Sequence, residues 1–278
     1  IIEPVFLCGK KGNHMFILDQ ELCIQCGTCV EECPNGCLKI EDDTVKHDPT
    51  RCMWCGHCLA VCPRDAIMID GDGYNVEDVE EFQFFKKSTP DMVRRDIMMR
   101  RSVRHFNDTP VTDDEINRII EAAKYAPTAK NCQHNALMIK NDPEEIAELR
   151  KDLFEQLGEI GKGMMRDKPD VAAFFLMKCS EFENEGKDGL FYDAPLVIGV
   201  FSDSDVDGSL CAAYMGQVIE SLGLGFTYLL LPTPAMNTPQ LREKYAIPED
   251  RKCVIFLTIG NYDAEYFCSV PRKDVPLL

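Results

Sequence analysis

The sequence predicts an α+β chain in two parts, a small cysteine-rich repeat followed by a larger region of helices packed on a small sheet. Three observations carry this expectation. Cysteines recur at one spacing twice within residues 23–62. Short, strand-like apolar segments frame each run. From about residue 90 the texture changes to amphipathic helical periods separated by short, wholly apolar stretches, the pattern of helices layered on a sheet.

In chain order, "MFILD" precedes the first run and "CLKIED" follows it, while "VKHDP" and "AIMID" frame the second. Residues 15–70 thus read as two copies of strand, cysteine loop, helix and strand. Gly71-Asp72-Gly73 reads as a turn, and the acidic stretch to Lys87 as a linker. The expected boundaries are a first domain at 1–72, a linker at 73–89 and a second domain at 90–278. Thr89 is placed to cap a helix, with Pro90 at its first position. Thr112 and Glu115 form a capping box ahead of "INRIIEAAKYA". "ALMIK" (136–140), "PLVIGVF" (195–201) and "VIFLTIG" (254–260) read as buried strands. Helices are expected near 143–157, 169–182 and 208–222, with Gly223 closing the last.

Composition narrows the possibilities. At 278 residues and 45% hydrophobic content, the chain has material for two packed domains. No apolar run approaches the roughly 20 residues of a membrane span. A net charge of −17 argues against nucleic acid or an anionic membrane as a general partner. Residues 1–72 carry 6 Lys/Arg against 12 Asp/Glu. Such a face suits a basic redox partner, or serves solubility alone.

The cysteine spacing has a specific chemistry. Cys23-x2-Cys26-x2-Cys29-x3-Cys33-Pro34 is the bacterial [4Fe–4S] run, and it recurs 29 residues later as Cys52-x2-Cys55-x2-Cys58-x3-Cys62-Pro63. In two-cluster ferredoxins the fourth cysteine of each run ligates the other run's cluster. One cluster is therefore assigned to Cys23, Cys26, Cys29 and Cys62, the other to Cys52, Cys55, Cys58 and Cys33. Zinc sites use two separated ligand pairs without an exchanged fourth cysteine. Disulfides need an oxidising compartment, and residues 1–22 contain no secretory apolar core. The remaining cysteines, Cys8, Cys37, Cys132, Cys179, Cys211, Cys253 and Cys268, share no spacing and mostly sit in apolar runs, as small hydrophobes in a reducing cytoplasm would. Cys37 is expected to pack beside a cluster. Met53 and Trp54 are expected to shield the second cluster from solvent. So small a domain needs its metal for stability.

Residues 100–133, "RRSVRHFNDTPVTDDEINRIIEAAKYAPTAKNCQ", resemble the signature of the nitroreductase-like FMN family: Arg-Arg-Ser-x-Arg, a capped helix, then Ala-Pro-Ser/Thr with Asn soon after. "DGSLCAAYMGQVIESLGLG" resembles that family's long central helix, and "PRKDV" its basic C-terminal segment. The resemblance covers about residues 92–275 and, with the cysteine runs, points to the ferredoxin-fused branch. The residues agree chemically, because Arg100, Arg101 and Arg104 with Ser102 present guanidinium forks and a hydroxyl suited to a phosphate, and Arg272 and Lys273 can close on the same group. By the resemblance, Asn131 bonds the flavin ring, and backbone near Tyr228, Leu229 and Leu230 lies beside it. The chain departs from the family in reading Asn131-Cys132-Gln133-His134-Asn135 and in filling a segment that often contains Gly with "YLLLP". His134 is a candidate proton donor, weighed against an ordinary loop histidine.

The expectation is an α+β protein, a bacterial-type two-cluster ferredoxin domain joined to a nitroreductase-like FMN domain. Two one-electron clusters beside a flavin would convert single-electron input into two-electron reduction. Nitroaromatics, quinones or activated alkenes are the expected small-molecule acceptors. The external donor is expected to be ferredoxin or NAD(P)H, and the resemblance implies a homodimer. The rival reading is a non-catalytic relay flavoprotein serving a protein partner. An Fe–S redox sensor is disfavoured, since no DNA-binding or output module is recognisable. No phosphate-cradling GxGxxG or GxxxxGK[ST] is present.

Overall fold

The computed structural model describes residues 13–71, 73–74, 79–80 and 87–278. Cys8 and most of the expected linker lie outside the described residues. The chain forms two compact units: Ile1–Lys87 together with Thr128–Cys132, and Ser88–Pro127 together with Gln133–Leu278.

The first unit contains β1 (Met15–Leu18), α1 (Thr28–Glu31), β2 (Leu38–Glu41), β3 (Thr44–His47), α2 (His57–Ala60) and β4 (Ile67–Asp70). β1 pairs antiparallel with β4, and β2 with β3. The four-residue helices start at Gly27 and Gly56, whose φ values of 80° and 74° lie in the left-handed region that glycine adopts without strain. Each glycine turns the chain between the second and third cysteine of its run. Among the described residues, Cys29, Leu38, Val45 and Ile67 form a small buried apolar cluster, with Phe16, Leu18 and a few others packed against it.

The second unit holds α3 (Pro90–Met99), α4 (Asp113–Lys124), β5 (Ala136–Lys140), α5 (Pro143–Met164), α6 (Pro169–Glu185), β6 (Leu196–Ser202), α7 (Asp205–Ser221), β7 (Gly225–Leu229), α8 (Thr233–Met236), α9 (Pro239–Lys244) and β8 (Lys252–Gly260). Its strands form one antiparallel sheet in the order β5-β6-β8-β7. Val197 and Phe201 of β6 pack with α5 and α6, whereas Leu196, Ile198 and Val200 pack with α4 and α7. Helices cover both faces, so β6 is buried at every position. That is why it reads as a continuous apolar run without alternation.

Local signals account for the helix ends. The Thr89 side chain accepts from Met92 N, with Pro90 at the start of α3. The Thr112–Glu115 capping box forms as expected. Asp142 caps α5 by accepting from Glu144 N and Glu145 N, and Ser204 caps α7 by accepting from Asp207 N. Gly223, at φ 77°, follows α7, and Leu224 N returns to Ile219 O at 3.1 Å. β7 was not anticipated as a strand. "GFTYL" is too short to show a clear period, and its membership is decided by pairing with β8 along Gly225–Leu229. Among the described residues, no helix is long and apolar enough to cross a membrane.

Candidate functional site

Cysteines from both runs line each of two cavities in the first unit. Cys23, Cys26, Cys29 and Cys62 line one cavity of about 350 Å³, its open mouth included. Cys33, Cys52, Cys55 and Cys58 line another of about 420 Å³. Antiparallel pairing of β1 with β4 and α1 packing beside α2 bring the end of each run to the start of the other.

The cavities suit [4Fe–4S] clusters. Backbone N–H groups point at sulfur: Cys37 N donates to Cys33 Sγ at 3.1 Å, Ala66 N to Cys62 Sγ at 3.3 Å and Trp54 N to Cys52 Sγ at 3.4 Å. These bonds stabilise thiolates and tune a bound cluster. Burial pushes the Cys58 thiol up to about 11, so ionising it in place calls for nearby positive charge such as iron. Among the described residues, no three His, Cys, Asp or Glu side chains converge on a single-ion site.

Cys37 and Ala66 occupy equivalent places, four residues after Cys33 and Cys62, and are 3% and 2% exposed. Cys37 therefore fills a small-residue packing position at the wall of the second cavity. Cys132 departs from expectation, being disulfide-bonded and not a spare thiol. The other described cysteines outside the two runs are free.

In the second unit, Val103 N donates to Phe226 O at 3.0 Å, and Ser102 forms a parallel bridge with Phe226. Arg100–Arg104 thereby lies along the outer edge of β7. Gly225 permits the approach, since a Cβ there would meet Val103 Cβ at 2.8 Å. Arg100 stands over the Phe226 ring at 5.9 Å, and Arg104 over Tyr192 at 5.7 Å. Arg100 Nη1 and Arg101 Nε are buried without a hydrogen-bond partner. Buried guanidinium N–H groups without acceptors suit an anion such as a phosphate. Burial pushes the Glu220 carboxyl above its ordinary range, against the pull of Arg100 and Arg101.

The other anticipated residues scatter. Tyr228 and Leu229 end β7, with the Tyr228 hydroxyl donating to Ala212 O at 3.2 Å. Leu230 follows and is 66% exposed. Asn131 belongs to the first unit, where its Nδ2 donates to Trp54 O at 3.0 Å. Arg272 and Lys273 lie exposed after β8 in a stretch without helix or strand. His134 Nδ1 is 2.8 Å from Asp203 Oδ2, a carboxylate partner that holds the ring's orientation.

Two groups of residues were missed at the level of sequence. Glu220 faces the arginines from α7, more than 100 positions away, and no local signal announces it. Asp188, with a side chain 1% exposed, accepts from Leu190 N, Phe191 N, Asp193 N and Arg150 Nη1. This clamp shapes the loop that holds Tyr192 at φ 56° beneath Arg104.

An antiparallel sheet between helix layers, with an arginine segment on its edge strand, accompanies a unit with two four-cysteine cavities. Together they define a two-part redox protein of the α+β class. Residues 97–261 match the Nitroreductase family and residues 22–66 the 4Fe-4S dicluster domain. The chain belongs to the Nitroreductase family, a family of oxidoreductases. It is 27% identical over 183 residues to a putative NADH dehydrogenase/NAD(P)H nitroreductase of Streptomyces coelicolor, covering 62% of this chain and 86% of that protein. It is 30% identical over 169 residues to an FMN reductase [NAD(P)H] of Bacillus subtilis, covering 58% of this chain and 62% of that relative, less than two thirds of its length. The fold is similar to an FMN-bound nitroreductase from Bacteroides fragilis, at TM-score 0.54 and 17% identity over 67% of this chain and 98% of that one. An FMN-bound nitroreductase from Desulfitobacterium hafniense gives 0.52 and 21% over 66% and 96%.

Proposed function

We propose that this oxidoreductase is an FMN-dependent reductase that takes electrons at its dicluster domain and delivers them to an electron-poor organic substrate: a nitroaromatic, a quinone or an activated alkene. Cys23, Cys26, Cys29 and Cys62 hold one [4Fe–4S] cluster, and Cys33, Cys52, Cys55 and Cys58 the other. Arg100, Arg101, Ser102 and Arg104 receive the flavin phosphate, with Arg272 and Lys273 as further candidates. Asn131 and the backbone at Tyr228, Leu229 and Leu230 are the candidates for the ring. When bound, the clusters supply one-electron carriage and FMN the two-electron chemistry. The chain's own work is to place charge around these groups and exclude water.

The observation that carries this reading is the unpartnered, buried guanidinium nitrogen of Arg100 on a nitroreductase fold, in a chain that also builds two four-cysteine cavities. We also propose a homodimer. Val206, Leu210 and Tyr214 of α7 and Met92, Ile97 and Met99 of α3 are exposed apolar residues that a second copy would cover.

Protein purified without oxygen is expected to contain eight irons and one FMN per chain, as two cubanes and one flavin require. Four irons, or no flavin, would remove the corresponding half of the reading. Stoichiometric anaerobic reduction, followed by a screen of acceptors for flavin reoxidation, identifies the substrate class. A protein whose reduced flavin no small acceptor reoxidises is a relay.

A further inference from the structure

The two cysteine runs share a backbone and differ in what they place outside it. Gln25 and Trp54 hold the same position, just before the second cysteine of each run, and the same left-handed backbone, at φ 55° and 54°. Trp54 is 8% exposed. Its ring lies 5.2 Å from His14 and 5.3 Å from His47, and its carbonyl accepts from the Tyr74 hydroxyl at 2.8 Å and from Asn131 Nδ2 at 3.0 Å. Gln25 is exposed, with its amide donating to Asp43 O at 2.7 Å. The contrast continues on either side. Ile24 is 60% exposed while Met53 is half-buried, and Cys26 is exposed while Cys55 is half-buried. Aromatic rings pack over Trp54 at one cysteine site, and the other is open at its exposed Cys26 thiol.

What surrounds the open site resembles a docking surface. Leu22 and Ile24, 39% and 60% exposed, flank Cys23 beside Cys26. Scattered exposed apolar side chains need no explanation, but Ile24 lines the cavity mouth with Leu22 two positions away, and the pair forms the apolar centre of a contact patch. Acidic residues border them: Glu21 precedes Leu22, Asp43 is tied to Gln25, and Glu31 is near enough for its charge to act on Cys26. Arg64 is the single charged residue lining this cavity.

We propose that the Glu21–Cys26 face, bordered by Glu31 and Asp43, is the docking surface for a one-electron donor protein whose own redox centre is ringed by lysine or arginine. This rests on reading Cys23, Cys26, Cys29 and Cys62 as cluster ligands. Leu22 and Ile24 exclude water at the contact, and the acids steer and orient the basic partner. One electron leaves the donor's reduced centre at each productive encounter, with no bond made or proton exchanged. The Trp54 side, covered by rings, presents no exposed ligand-position thiol to such a partner.

The test uses full-length protein with its iron counted, and oxidised cytochrome c, a lysine-rimmed redox protein, as the probe, so that binding is read without turnover. At low salt, Glu21→Lys with Glu31→Lys is expected to raise the Kd about tenfold and to flatten its salt dependence. The control pair Glu183→Lys with Glu185→Lys, on exposed positions of α6, carries the same charge change and is expected to stay within about twofold. Should the lysine pair lose iron, Glu21→Gln with Glu31→Gln replaces it, with about threefold weakening expected. Equal weakening by the rim and control pairs, or none by the rim pair, overturns the proposal while leaving the cluster reading intact. A wild-type preparation without iron overturns the cluster reading itself.

Discussion

Val103 donates its backbone N–H to the carbonyl of Phe226 at 3.0 Å. This bond places the Arg100–Arg104 segment on the outer edge of the four-stranded sheet. An edge strand presents unpaired backbone groups, and here part of that edge is occupied by the segment that carries the charge. The arginines thus take their position from the sheet, and Arg100 Nη1 and Arg101 Nε are left buried without an acceptor.

Arg100→Ala is expected to weaken FMN binding by about tenfold or more, the scale of one charged hydrogen bond. Glu220→Gln is expected to act in the opposite direction, because it removes a negative charge facing Arg100 and Arg101. Fluorescence titration of apoprotein with FMN reads both. Equal affinities in wild type and Arg100→Ala would displace the phosphate site from this segment.

The same glutamate gives a pH dependence. Burial raises its pKa, so the folded chain keeps the Glu220 proton above the ordinary glutamate value of 4.5, where the unfolded chain has lost it. The folded state binds more protons in that window, and stability falls as pH rises through it. Glu220→Gln is expected to lose this component of the fall, as read by thermal melts of apoprotein at a series of pH values. A wild-type and variant difference constant across the series would contradict the shift.

Asp188→Asn is expected to cost about 3 kcal/mol of stability, because it leaves the Arg150 guanidinium without its buried counter-charge. Urea unfolding of the second unit's signal provides the measurement. Since the clamp holds Tyr192 under Arg104, FMN affinity is expected to fall with it. A midpoint unchanged from wild type would show the pair to be dispensable.

Cys62→Ser is expected to damage the cluster held by Cys23, Cys26 and Cys29, although Cys62 lies nearer in sequence to Cys58. Spectroscopy that separates the two clusters is the measurement, and selective loss of the Cys52–Cys58 cluster would refute the exchange.

Cys33→Ser, by the same exchange, is expected to damage the other cluster. It should retain FMN while losing rapid flavin reduction by reduced ferredoxin. Undiminished ferredoxin-driven reduction in that variant would show that electrons bypass the clusters.

The sequence alone determined the parts whose signals are local. Two cysteine runs were legible because their ligand spacing lies within a few residues. Thr89, Thr112 and Gly223 announced their helix ends for the same reason. The tertiary structure decided what depends on distant segments meeting. Gln25 and Trp54 sit alike in their runs, and only packing from His14, His47, Tyr74 and Asn131 buries Trp54 while Gln25 stays exposed. Asn131 meets Trp54 O from 77 positions away, and "GFTYL" became a strand only by pairing with β8. Glu220 came to face Arg100 because α7 packs across the sheet from a remote part of the chain. Local backbone chemistry is written in neighbouring residues. Burial, pairing and the fields between charges belong to residues that become neighbours only when the chain folds.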